Sequence, residues 1–221
     1  NLIIDDGRNY LSATTKKYDM ITVDPIHPRI SGVGTLYTRE FYEQVSEHLN
    51  HNGIYIQWIP SYQMSPHSFK MAVNTFKTTF PHSILWYVKG HVLLLGKKNN
   101  IIIDYDIMKK NFYNISPDMK RINIRNTEEL LSLVAMTPDY LNLYTEGFNM
   151  QNNDNNLYLE YHVPGQYLYN VDDIIKSILP YWGFSDVYIK NVNQEERNTI
   201  FAYWDERETK LRLNTNNIIE N

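Results

Sequence analysis

One stretch of the chain, residues 18–60, places the strongest constraint on the fold. A short apolar run, Tyr18–Val23, ends in the carboxylate Asp24 and is followed by a loop broken by proline and glycine. A helix pattern and a second apolar run, Ile54–Ile59, come next. Strand, loop, helix and strand at these lengths are typical of an α/β domain. A sheet holds an acid at a strand tip rigidly while the adjacent loop shapes a pocket, so we expect chemistry near Asp24.

The same alternation continues to residue 98. Lys89-Gly90 separates two strand patterns and fits a two-residue hairpin turn, which predicts an antiparallel end to the sheet. Serine followed by proline opens one helix, at the position where a missing N–H costs nothing. The predicted elements are strand Leu2–Ile4, helix Arg8–Ala13, strand Tyr18–Val23, a helix from Thr38 that Gly53 closes after Asn50, strand Ile54–Ile59, a helix from Ser65 to Phe80, and strands Ile84–Val88 and His91–Leu95.

The composition changes after Lys98 toward asparagine, aspartate and tyrosine, and the clear strand pattern stops. We therefore predict two parts: an α/β domain over residues 1–98 and a mainly helical C-terminal region over residues 99–221. Glu160 and His162 alternate on a further predicted strand, which favours a surface pair or a domain contact over a site. The predicted helices of this region are Thr127–Met136, Pro138–Tyr144, Val171–Leu179 and roughly Gln194–Leu213.

Composition limits the class of protein. The 221 residues are 43% apolar, which suffices for one good core and a smaller second one. The net charge of -4 comes without a long run of one sign, so we predict no nucleic-acid partner. Cysteine is absent and the seven histidines show no metal-ligand spacing, so we predict neither a disulfide nor a metal site. No apolar run approaches the roughly 20 residues that span a bilayer.

Four motifs in order resemble the polyamine aminopropyltransferases, the spermidine synthase family. They are IIDDGRNYL at residues 3–11, YDMITVDPIHP at 18–28, GTLYTREFYE at 34–43 and NGIYIQWIP at 52–60, with a weaker similarity at NNDNNLYLEYHVP, residues 152–164. The pattern is most similar to the branch in which such a domain follows a membrane region. The resemblance implies the C-terminal part of a methyltransferase-like Rossmann sheet with an antiparallel terminal hairpin.

The resemblance also implies a reaction. An amine nitrogen of a polyamine-type acceptor attacks the aminopropyl carbon next to the sulfonium of decarboxylated S-adenosylmethionine, and methylthioadenosine leaves. The amine is mostly protonated at neutral pH, so a base must take its proton before the attack. Asp24 matches the catalytic aspartate of the family. The other interpretation of Asp24 is a carboxylate that caps the following loop, which is common for aspartate at such a position. The co-substrate is decarboxylated S-adenosylmethionine, and no tightly bound cofactor is expected.

Four further residues carry expectations from the same resemblance. Asp6 and Gly7 match the pair that binds adenine, and an ordinary helix-capping turn is compatible with that role. His27 stands where the family has a second aspartate that pairs with the distal ammonium of a diamine, which puts putrescine in doubt. A substrate contact and a loop histidine bonded to backbone are equally compatible with it. Gln57 either binds the nucleoside or holds the Asp24 loop.

Two other functions stay open on the sequence: an S-adenosylmethionine-dependent methyltransferase, and a non-catalytic nucleoside-binding sensor or scaffold. The chain starts at Asn1, and the glycine-rich turn and ribose-binding acid of this fold would precede it. We therefore expect an N-terminally truncated fragment that is inactive by itself. The expected partners are small-molecule amine and nucleoside substrates. The domain suggests a cytoplasmic location, with membrane attachment through an upstream region and a homodimer both left open.

Overall fold

A computed structural model describes residues 2–217 of the chain. The helices are α1 (Gly7–Ala13), α2 (Arg39–Glu47), α3 (Pro66–Thr79), α4 (Tyr105–Arg121), α5 (Thr127–Leu131), α6 (Pro138–Thr145), α7 (Tyr158–His162), α8 (Val171–Ile178) and α9 (Gln194–Asn217). The strands are β1 (Tyr18–Val23), β2 (Leu49–Ile59), β3 (His82–Val88), β4 (His91–Lys97), β5 (Ile103–Asp104), β6 (Val134–Met136) and β7 (Ile189–Lys190). A 3-10 turn over Val33–Tyr37, called the rim turn below, precedes α2.

Five strands form the main sheet in the order β1-β2-β4-β3-β6. β1 and β2 are parallel, and every other neighbouring pair is antiparallel. Strands β5 and β7 form a separate parallel pair. The predicted α/β class, the antiparallel hairpin and the mainly helical C-terminal region are confirmed.

Local signals produce several elements where the sequence predicts them. The Thr38 hydroxyl caps α2 by accepting a hydrogen bond from the backbone N–H of Phe41. The hydroxyl of Ser65 caps α3 in the same way, and a proline follows at the start of that helix. Lys89 and Gly90 both have positive φ, 48° and 89°, as a two-residue hairpin turn requires. These predictions rest on contacts within a few residues, and they are confirmed.

Two predicted elements near the start of the chain are wrong. Residues 2–4 are not a strand, and Leu2 and Ile4 expose 90% and 95% of their surface. Among the described residues no strand lies beside them, and a lone strand leaves its backbone groups unpaired. Helix α2 ends at Glu47 rather than near Asn50, because β2 already begins at Leu49.

The helix predicted over Thr127–Met136 is only half right. α5 ends at Leu131, and Val134–Met136 then pair with β3 as β6. All three β6 residues are fully buried, so packing against the sheet overrides their local helical pattern. Glu160 and His162 lie in the short helix α7 and not on a strand.

One main hydrophobic cluster contains residues from both sides of position 98. Tyr55 of β2 stacks on Phe76 of α3 with ring centroids 5.4 Å apart, and Met136 and Trp204 belong to the same cluster. The predicted division at residue 98 therefore separates sequence patterns while the core continues across it. Across residues 2–217, none of the helices is both long enough and apolar enough to cross a membrane.

Candidate functional site

The parallel pairing of β1 and β2 determines where the predicted site residues lie. In this register Val23, the last residue of β1, is paired with Gln57 of β2. Parallel strands have their carboxyl ends at the same edge of a sheet, so the loop after β1 and the chain after β2 meet there. This edge is bordered by two cavities.

The first cavity has a volume of about 560 Å³, which is in the range of small-molecule sites. Its wall contains Asp6 and Gly7 at the start of α1, residues 21–23 of β1, and Leu36 of the rim turn. Most of the other side chains that line it are apolar. A flat apolar ring with a polar edge near Asp6 suits such a space.

Asp6 and Gly7 lie together in the wall of the first cavity. The Asp6 carboxylate caps α1, since its Oδ1 accepts a hydrogen bond from the backbone N–H of Asn9 at 2.9 Å. Gly7 has no positive φ, and a Cβ added to it would meet no atom within 4 Å. The fold by itself therefore does not require glycine at this position. The capping role of Asp6 is confirmed, and adenine binding by this pair stays a prediction.

The second cavity has a volume of about 310 Å³, and Asp24, which directly follows β1, lines it. Val23 lines the first cavity and Asp24 lines the second, so one step along the backbone passes from one to the other. Asp24 is exposed and forms no ion pair within residues 2–217. Burial raises the pKa of Tyr37 well above its ordinary value, and the negative charge of Asp24 adds to that shift. The Asp24 carboxylate is thus open to a cleft.

His27 also lines the second cavity, yet it is only 4% exposed. Its Nε2 lies 2.8 Å from the carbonyl oxygen of Tyr62, and its Nδ1 lies 3.3 Å from the backbone nitrogen of Arg29. A carbonyl only accepts, so Nε2 carries the proton and Nδ1 accepts the Arg29 N–H. Burial lowers the pKa of His27, and the Arg29 charge lowers it further. His27 is therefore neutral near pH 7, and the geometry favours the loop-histidine interpretation.

Gln57 is fully buried and lines neither cavity. Its Oε1 accepts a hydrogen bond from the Tyr55 hydroxyl at 2.9 Å, and its Nε2 donates to the carbonyl of Leu36 at 3.3 Å. Burial raises the pKa of Tyr55, which keeps that hydroxyl protonated as a donor. The structure thus shows no opening through which Gln57 could contact a ligand. These bonds tie the sheet to the rim turn, and both expected roles of Gln57 stay predictions.

Sequence reasoning missed the one charged and the two aromatic residues that line the second cavity beside Asp24 and His27: Arg29, Trp58 and Tyr62. Trp58 is near the end of β2 and Tyr62 follows it, so the parallel pairing brings both to the edge where Asp24 lies. Two aromatic residues at the carboxyl end of the neighbouring strand were the available signal. Arg29 gave no such signal, because its place in the wall depends on how the loop folds around His27.

All of the predicted site residues lie within the first 95 residues of the chain. The sequence model described as the spermine/spermidine synthase domain matches residues 1–95. Residues 1–95 are therefore similar to that domain, and they make up less than half of the 221 residues. Within the matched residues, Asp6 and Gly7 line one cavity, while Asp24 and His27 line the other.

Several curated relatives carry the name polyamine aminopropyltransferase. The protein of Saccharolobus solfataricus is 35% identical over 88 residues, which are 39% of this chain and 29% of that protein. The protein of Thermococcus kodakarensis is 28% identical over 127 residues, 53% of this chain and 44% of that one. The Methanocaldococcus jannaschii protein is 46% identical over 57 residues, 26% of this chain and 19% of that one. The chain thus spans less than half the length of each of these relatives.

A solved structure, described as a probable spermidine synthase from Corynebacterium glutamicum, is similar over 69% of this chain and 53% of its own. The TM-score is 0.49 and the sequence identity 15%.

Proposed function

We propose that this protein transfers an aminopropyl group from decarboxylated S-adenosylmethionine to an amine, with release of methylthioadenosine. One observation carries this proposal: the end of β1 borders two cavities, with Asp6 and Gly7 in the wall of one and Asp24 in the wall of the other. A nucleoside in the first cavity and an amine in the second would meet at this strand end. The match of residues 1–95 to the spermine/spermidine synthase domain and the names of the relatives support the same reaction.

The proposed step needs one base and one line of attack. Asp24 takes a proton from the ammonium, and the freed nitrogen lone pair forms a bond to the carbon next to the sulfonium. The carbon–sulfur electron pair goes to sulfur, which becomes the neutral thioether of methylthioadenosine. An exposed carboxylate free of ion pairs within residues 2–217 is available for the proton. Gln57 acts by positioning, because its amide joins β2 to Leu36 of the rim turn.

The wall of the second cavity narrows the class of acceptor. It holds one carboxylate, Asp24, and one guanidinium, Arg29, while the His27 ring is neutral. An amine end pairs with Asp24, but a second ammonium would face Arg29 as a like charge. We therefore propose an acceptor with one amine end and a neutral or anionic far end in preference to a diamine. Trp58 and Tyr62 offer apolar surface for its carbon chain.

The test is the Asp24→Asn variant of the full-length protein. A positioned general base contributes about 10²–10⁴-fold, so we expect turnover with decarboxylated S-adenosylmethionine to fall by that factor. Methylthioadenosine affinity should stay within about twofold, because Asp24 does not line the first cavity. Asp19→Asn is the control, since Asp19 belongs to the same strand, lines neither cavity, and has a carboxylate that accepts a hydrogen bond from Asn50.

Three results would contradict the proposal. Undiminished turnover of Asp24→Asn would show that Asp24 is not the base. Faster turnover with S-adenosylmethionine itself would indicate a methyltransferase. Binding of methylthioadenosine by the unaltered protein with no turnover of any amine would indicate a nucleoside sensor.

A further inference from the structure

A segment distant in sequence contacts Arg8 and Gly34, which lie within two residues of Gly7 and Leu36 in the wall of the first cavity. Residues 152–160, called the latch below, lie more than 110 positions after the rim turn, and Asn152 is fully buried. The Asn152 side chain donates from Nδ2 to the carbonyl of Gly34 at 3.1 Å and accepts at Oδ1 from the N–H of Leu159 at 3.1 Å. Its carbonyl accepts from the N–H of Arg39 at 3.0 Å. One asparagine thus joins the latch to the rim turn and to the start of α2.

Asp154 extends the latch to the turn that carries Asp6 and Gly7. Its carboxylate accepts from both terminal nitrogens of Arg8, with Nη1 to Oδ1 at 3.0 Å, and Arg8 directly follows Asp6 and Gly7. The same Nη1 donates to the carbonyl of Thr35 in the rim turn at 3.0 Å. The hydrogen bond from Arg8 lowers the pKa of Asp154, so the carboxylate is ionised at neutral pH. The Arg8 guanidinium therefore links the two turns, and Asp154 fixes its position.

Glu160 makes the third contact of the latch. Its Oε2 accepts a hydrogen bond from the backbone N–H of Gly34 at 3.2 Å. A Cβ added at Gly34 would lie 2.6 Å from the Cβ of Glu160, although Gly34 has no positive φ. Glycine is therefore required at position 34 by the close approach of the latch and not by its own backbone conformation.

We propose that the latch is a positioning element of the candidate site. It holds the turn that carries Asp6 and Gly7 at a set distance from the rim turn, which contributes Leu36 to the same cavity. Asp154 is then a positioning residue for nucleoside binding, although it lines neither cavity. This inference rests on the proposed function, because it assigns the first cavity to the nucleoside.

Asp154→Asn in the full-length protein tests the latch by two measurements. Loss of one charge-assisted hydrogen bond is equivalent to about a tenfold change in an equilibrium constant. We expect amide hydrogen exchange to accelerate about tenfold in residues 7–11 and 33–37, and methylthioadenosine affinity to fall by up to about the same factor. Asp154→Glu keeps the charge and should restore most of the affinity.

Asp186→Asn is the matched control. Asp186 pairs with Arg197 at side-chain exposures of 44% and 26%, close to the 37% and 24% of Asp154 and Arg8. It lines neither cavity, so it should change neither measurement. Unchanged exchange in both turns of Asp154→Asn would overturn the latch. If the unaltered protein binds no methylthioadenosine, the proposed function fails, and the exchange measurement alone then decides whether the latch holds the turns.

Discussion

The substitution Gly34→Ala probes the closest contact between the latch and the rim turn. The new Cβ would lie 2.6 Å from the Cβ of Glu160, 2.8 Å from its Oε2 and 3.4 Å from its Cα. Carbon atoms prefer separations of about 3.5–4.0 Å, so one of the two segments must move by about 1 Å. The Cβ of Glu160 is attached directly to the backbone of α7, and it cannot move away as a flexible side-chain end could.

The expected cost follows from this overlap. Overpacking of this kind costs about 1–3 kcal/mol. Replacing glycine by alanine also reduces the freedom of the unfolded chain, which returns about 0.4–1 kcal/mol. The free energy of unfolding of Gly34→Ala should therefore drop by about 1.3 kcal/mol, the difference between the midpoints of these two effects. Denaturant unfolding followed by tryptophan fluorescence measures this quantity.

A double-mutant cycle with Glu160→Gly isolates the contact. In that background the two closest atoms are gone, so Gly34→Ala should be neutral or stabilising by up to about 1 kcal/mol. Gly165→Ala is the control, because a Cβ there meets no atom within 4 Å and its φ is not positive. Equal costs of Gly34→Ala in the two backgrounds would refute the close approach of Glu160 and weaken the latch with it.

Two more predictions concern the second cavity. Arg29→Gln removes the like charge that a second ammonium would face, so diamine affinity measured by calorimetry should rise by up to about fivefold, and an unchanged affinity would contradict the proposed acceptor class. The pKa of His27 is lowered chiefly by burial, so below its ordinary pKa of about 6.5 the unfolded chain binds more protons than the folded one. The free energy of unfolding therefore decreases as the pH is lowered. His27→Gln should flatten this fall between about pH 6.5 and 5 in denaturant titrations, whereas an identical slope would show that His27 does not titrate differently on folding.

Local patterns in the sequence were enough to predict the elements whose signals act over a few residues. Ser65 and Pro66 begin α3, Thr38 caps α2, and Lys89-Gly90 turns the hairpin, because caps and tight turns depend on neighbouring dihedral angles and hydrogen bonds. The position of Asp24 after an apolar strand likewise followed from the order of residues. The family resemblance then supplied the expected roles of Asp24, Asp6 and Gly7.

Only the tertiary structure decided the elements and contacts that depend on distant partners. Residues 134–136 became a strand because β3 offered them buried pairing, and residues 2–4 did not because no strand lies beside them within residues 2–217. The His27 ring bonds to a carbonyl 35 positions away, and Arg8 pairs with a carboxylate 146 positions away. Such partners are chosen by how the whole chain packs, and a local pattern contains no information about them.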